Sequence, residues 1–155
     1  MWLQTKLCYP DNEFVRVGKY RTSLSLPIEL RSRTGKRSIQ KNALIDSGAT
    51  ASFINWRLVN RYNMKTVPLP KEVVVRNVDN TTNVQGTLKE QVFLAVRIKD
   101  HQEVLRFYVS DLGKDEIILG HNWLKCHNPN IDWRDSTINL SHCNFTCQLS
   151  MDKKW

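Results

Sequence analysis

The chain has 155 residues, of which 41% are hydrophobic and 25% charged, a balance that suits one domain with a real core and excludes a disordered chain. No apolar run approaches the roughly 20 residues that a membrane-spanning helix needs, and Met1-Trp2-Leu3-Gln4-Thr5-Lys6-Leu7 has no apolar stretch or small-residue cleavage site of a secretory signal. The net charge of +8 favours an acidic partner. However, the basic residues are scattered apart from Arg31, Arg33, Lys36, Arg37 and Lys41, so the expectation is incidental nucleic-acid contact through a basic surface, and no membrane contact.

Residues 1–19 show no periodicity and read as a leader or a loosely attached segment. From Tyr20 the pattern alternates, with Tyr20, Thr22, Leu24, Leu26, Ile28 and Leu30 on one face. That is a half-buried strand, and Pro27 marks an edge or a bulge. Arg31 to Lys36 supplies a turn, and Ile39 to Ile45 returns as a strand ending at Asp46. Asn55 to Tyr62 reads as a short helix with Asn55 as N-cap. Val67-Pro68-Leu69-Pro70 forbids helix and makes an extended connection. Lys71 to Val78 and Val84 to Leu88 form a hairpin whose tip, Asp79-Asn80-Thr81-Thr82-Asn83, is turn chemistry.

Two more alternating strands follow, on Val92, Leu94, Val96 and Ile98 and then on Leu105, Phe107 and Val109, separated by a polar turn at Lys99-Asp100-His101. Ile117-Ile118-Leu119-Gly120 reads as a short strand buried on both faces. His121 to His127 is a short helix stopped by Asn128-Pro129, and Ile131 to Leu140 holds a final hairpin around Arg134-Asp135-Ser136. Residues 20–140 are thus expected to form one all-β, closed or nearly closed domain with two minor helices, and 141–155 a loose tail.

Four cysteines, Cys8, Cys126, Cys143 and Cys147, are too sparse for a disulfide framework. His142, Cys143 and Cys147, with Cys126 or His127, match no standard zinc knuckle or ribbon, so the spacing predicts thiols without a metal.

The most informative feature is Asp46-Ser47-Gly48. The apolar run Ala43-Leu44-Ile45 leads straight into an acid, and a carboxylate at the end of a buried strand is costly unless it is bonded, paired or used. Asp-Ser-Gly is also an ordinary turn sequence, so the tripeptide alone leaves both readings open.

Four segments carry a resemblance. They are Ala43-Leu44-Ile45-Asp46-Ser47-Gly48-Ala49-Thr50 with Phe53-Ile54; Asn77 to Gly86; Ile117-Ile118-Leu119-Gly120-His121-Asn122-Trp123-Leu124; and His127-Asn128-Pro129-Asn130-Ile131-Asp132-Trp133. In this order they resemble the retropepsin-like aspartic protease of gypsy-class LTR retrotransposon Gag-Pol polyproteins. The similarity spans about Arg21 to Leu140.

The resemblance implies an acid-protease barrel with a flap hairpin, located in the cytoplasm or within virus-like particles. It implies an endopeptidase that processes a Gag-Pol-type polyprotein and needs no metal or organic cofactor. Because the chain holds one such motif, it also implies a homodimer with Asp46 of each subunit as the catalytic acid. Ser47, Gly48, Ala49 and Thr50 correspond to the active-site loop; Asp79, Asn80 and Thr81 to the flap; and Gly120 and His121 to the structural support beneath the loop. Trp123 and Trp133 are expected as core anchors. The viral branch has an ion pair where this chain carries Thr50 and His121, and a flap glycine where it carries Asn80. A non-catalytic, domesticated peptide-binding dimer is the alternative.

Overall fold

The computed structural model describes residues 23–32, 37–77, 79–141 and 143. The leader expected over 1–19 lies outside them, as do most of the segment after 141 and 33–36 of the turn expected over 31–36; Arg31 and Ser32 of that turn belong instead to the first strand.

The first strand, β1 (Ser25–Ser32), follows from its alternation: Leu26, Ile28 and Leu30, with Leu24 just ahead, are buried while their neighbours face outward. It pairs antiparallel with β2 (Ser38–Ile45) along most of its length, and from Glu29 onward also with residues 94–97 of a later strand. Pro27 falls in the stretch whose one described partner is β2, so its missing N–H removes no second ladder.

Next come β3 (Phe53–Asn55), α1 (Trp56–Arg61) and β4 (Val67–Arg76). Asn55 caps α1 as expected, its side chain accepting from the Arg57 amide at 3.0 Å. Its side-chain nitrogen also donates to the carbonyls of Gly113 and Asp115, which ties the helix to the loop over 111–116. Val67 to Pro70 is strand rather than a mere connection. Two prolines are tolerated there because, among the described residues, β4 ends the sheet and pairs with the following strand alone.

Where the sequence suggests two strands, over 84–88 and 92–98, the chain forms one: β5 (Thr82–Ile98), 17 residues long. Gly86 takes φ +69, a left-handed value that glycine adopts without strain, so the strand turns there without breaking. Its first half pairs with β4 and its second with β6 (His101–Ser110). The turn before β6 is Lys99-Asp100 alone. His101, expected in that polar turn, begins β6 and is buried.

β7 (Ile117–Leu119) lies between β2, parallel to it, and β3, antiparallel to it. Ile117 and Leu119 are fully buried on one face and Ile118 is half-buried on the other, so the second face is only partly covered. Pairing of β1 with β5 closes β1-β2-β7-β3-β6-β5 into a barrel and leaves β4 outside the ring. Val92, Leu94, Val96 and Ile98 of β5 are each 1% exposed and fill it together with Phe107, Ile54, Ile117 and Leu119.

α2 (His121–His127) stops at Asn128, which takes φ +42 just before Pro129. A separate hairpin of β8 (Asn130–Asp132) and β9 (Thr137–Asn139) places Ile138 in the core. Trp123 is 2% exposed, a core anchor as expected. Trp133 is 68% exposed and corrects that expectation, because it sits in the hairpin turn beyond β8 and only Ile138 of this hairpin is fully buried.

Candidate active site

Asp46 follows β2 immediately, held where β2 and β7 run side by side. Its amide donates to the Leu119 carbonyl at 3.0 Å, and its own carbonyl accepts from Ala49 at 3.2 Å. The carboxylate Oδ1 accepts the Gly48 amide at 2.9 Å, closing a small turn. The turn reading of Asp-Ser-Gly therefore holds, and the turn fixes a half-buried acid directly after β2. Ser47, Gly48 and Thr50 are exposed and Ala49 is half-buried. A Cβ on Gly48 would stand 3.1 Å from Asp46 Oδ1, tight against the carboxylate itself.

Beneath this loop lies Gly120. A Cβ there would be 2.0 Å from the Ala51 carbonyl oxygen and 2.7 Å from that of Ala49, so no larger residue fits without displacing the loop backbone. The next residue, His121, donates its amide to the Ala49 carbonyl at 2.6 Å, while its side chain faces outward. The tertiary fold thus brings Asp46 to Thr50 together with Gly120 and His121.

Two further supports escape sequence reasoning. Buried Ser52 lies with its hydroxyl 3.4 Å from both the Gly120 amide, which donates to it, and Asn122 Oδ1. Asn122 in turn accepts the Trp123 amide at 2.8 Å. A lone serine in a small-residue run gives no signal that it faces inward.

The β4–β5 hairpin carries Asp79, Asn80 and Thr81 at its tip. Asp79 Oδ1 accepts both the Thr81 hydroxyl at 2.6 Å and the Thr81 amide at 3.0 Å. These bonds, the hydroxyl first, hold the Asp79 carboxyl below its ordinary value. Asn80 takes φ +69, the conformation that a glycine would adopt at this place. Asn77 and Arg76 add bonds to Thr81 and to the Asn80 carbonyl. Among the described residues none of these bonds reaches the Asp46 loop.

The remaining Asp-Ser pair, Asp135-Ser136, is exposed in the β8–β9 turn, with no counterpart of Gly120 beneath it among the described residues. One copy of the chain therefore presents one such acid.

Residues 42–147 match the family model described as the PEG10/RTL1 protease domain, which spans more than half the chain. The chain belongs to the PEG10/RTL1 protease domain family. In fold it resembles the retroviral protease-like domain of Ddi1 from Leishmania major, at 20% identity over 84% of this chain and 92% of that one, with a TM-score of 0.51. A further similar structure is the EIAV protease complexed with the inhibitor HBY-793, at 16% identity over 71% of this chain and 92% of that one, with a TM-score of 0.49. The PEG10/RTL1 protease domain here thus has a retropepsin-like barrel, as its sequence leads one to expect.

Proposed function

We propose that this domain is an aspartic endopeptidase that works as a homodimer, each subunit donating Asp46. The observation that carries the proposal is the fixed, half-buried carboxylate of Asp46, cradled by its own turn and backed by Gly120. A peptide bond needs both a base to activate water and an acid to assist the leaving amine, and one carboxylate cannot be both at once. Two copies of Asp46 about 3 Å apart cannot both ionise, so the pair holds one proton. The ionised copy takes a proton from water, the water attacks the scissile carbonyl, and the protonated copy supports the forming oxyanion.

The other positions take roles around that centre. Ser47 links the two loops, while Gly48, Ala49 and Thr50 face the substrate backbone. Asp79, Asn80 and Thr81 close over the peptide and exclude water. The substrate class is an unfolded segment of a polyprotein of Gag-Pol type in an intracellular compartment.

The test is cleavage of a peptide spanning a junction next to this domain, at about pH 5–6 where a shared proton is retained. Asp46→Asn is expected to lower the rate by at least about 10²–10⁴-fold, the range of general acid–base catalysis. Equal rates for the variant and the parent would remove the assignment.

A second reading is a domesticated dimer that binds peptide without cutting it. It is favoured by the family, which is a domesticated one. Saturable peptide binding with no cleavage by the unaltered chain would select it. Salt-sensitive oligonucleotide binding at physiological salt would instead make the basic surface more than incidental.

A further inference from the structure

Away from the Asp46 loop, three segments distant in sequence bring donor atoms to one point. β6 supplies His101 and Glu103, α2 ends on His127, and Cys143 follows β9. His127 Nε2 lies 2.6 Å from Glu103 Oε2 and 3.1 Å from His101 Nε2. His101 Nε2 is 3.4 Å from the same carboxylate oxygen. The Cys143 sulfur and the ligating nitrogens of both histidines all lie within 4.8 Å of one another. His101, Glu103 and His127 are 5%, 2% and 1% exposed, and Cys143 is partly buried.

Burying an acid and two imidazoles in a β-barrel protein is expensive unless they are bonded or paired, and here they are bonded to one another and to Trp123. His127 Nδ1 donates to the Trp123 carbonyl at 2.8 Å, which turns Nε2 toward the cluster. A metal-bound histidine is fixed in the same way, its second ring nitrogen donating to a carbonyl or carboxylate. The Trp123 indole stacks on the His127 ring with centroids 4.6 Å apart, and its Nε1 donates to Glu103 Oε1 at 2.8 Å. Tryptophan thereby sets the plane of one ligand and the orientation of another, and Oε2 is left pointing at both imidazoles. Two imidazole nitrogens on a tetrahedral zinc ion, each about 2.0–2.1 Å from it, stand about 3.3 Å apart, near the separation found between His101 and His127.

We propose that His101, His127 and Cys143 bind one Zn²⁺, and that Glu103 takes the fourth position by exchanging its hydrogen bond to His127 for the metal. The set is nitrogen, nitrogen, sulfur and oxygen, a combination that suits zinc and not calcium or magnesium. Charge balances: a thiolate and a carboxylate meet a dication with two neutral imidazoles. Binding releases the thiol proton and the proton held between His127 and Glu103, and nothing is oxidised or reduced. The role is structural, since all four positions are filled by protein. The ion fastens the segment after β9 to β6 and to the end of α2. Sequence spacing misses it because its ligands belong to separate elements, 24 residues apart between Glu103 and His127.

The test uses the full chain, reduced and stripped with a chelator, titrated with Co²⁺ as a visible probe and then with Zn²⁺. One equivalent of Co²⁺ is expected, giving strong tetrahedral d–d bands and a thiolate charge-transfer band, both erased when Zn²⁺ displaces it. Cys143→Ser should abolish the charge-transfer band and weaken uptake by about tenfold or more, and His101→Gln and His127→Gln should weaken it as far. Cys126→Ser and Asp46→Asn should change neither band. Should the histidine variants fail to fold by circular dichroism, the partly exposed Cys143→Ser alone decides the matter. No Co²⁺ uptake, or a charge-transfer band that survives Cys143→Ser, would overturn the proposal.

Discussion

At the scale of the residue, the candidate site depends on two glycines for different reasons. Gly48 keeps a Cβ from crowding the carboxylate that its amide bonds, whereas Gly120 leaves room for the backbone of another segment. Gly120→Ala drives a methyl into the carbonyls of Ala51 and Ala49, neither of which is the movable end of a side chain. It should lower stability by about 1–3 kcal/mol, as overpacking does, and displace the loop. Urea unfolding would measure the first effect and Asp46 chemical shifts the second. A fully stable variant with an unmoved loop would show that the contact is not as tight as described.

Asp79 permits a prediction with a definite sign. Its folded carboxyl lies below the ordinary value of 3.8, held there first by the Thr81 hydroxyl and then by the Thr81 amide. A depressed carboxyl contributes order that is complete above the unfolded value and is lost as pH falls through the folded one. The turn at the β4–β5 tip should therefore persist throughout the mildly acidic range proposed for catalysis and loosen only below about pH 3.8. The Thr81 amide resonance, followed by pH titration, should move in that window in the parent and not in Asp79→Asn.

At the scale of the element, periodicity gave the right faces and misplaced several of the ends. β1 and the later part of β5 alternate cleanly and bury the residues expected. The single β5 and the strand character of Val67 to Pro70 were hidden, because a glycine and two prolines read as interruptions. Gly86 bends a strand instead, and β4 tolerates proline because it has one neighbour. The two tryptophans after the barrel's last strand make the same point. Both sit in motif-like segments, yet one packs and the other does not. Trp123→Ala should cost about 3–5 kcal/mol. Trp133→Ala should stay within about 0.5 kcal/mol of the parent. Thermal or denaturant unfolding of the pair checks both, and equal losses would contradict the burial described.

At the scale of the whole molecule, one chain supplies one Asp46, so activity in the proposed mechanism must follow the second power of protomer concentration when the dimer is weak. Specific activity should fall on dilution, and sedimentation should show the dimer dissociating over the same range. A strictly monomeric species with constant specific activity would remove the two-copy mechanism, whatever the fate of the zinc proposal.

The sequence by itself determined the local chemistry: an apolar strand ending on an acid, a turn that bonds that acid to Gly48, an asparagine cap on α1, and a polar hairpin tip. Each depends on neighbours within a few residues, where propensity and hydrogen-bond geometry act directly. Only the tertiary structure decided that β1 meets β5 to close the barrel, that Gly120 lies under Ala49 and Ala51, and that His101, His127 and Cys143 converge with Glu103 against the two histidines. Alternation states which face of a strand is buried but not what lies against it. The partners of a buried polar group are set by packing between segments, and no local pattern records that.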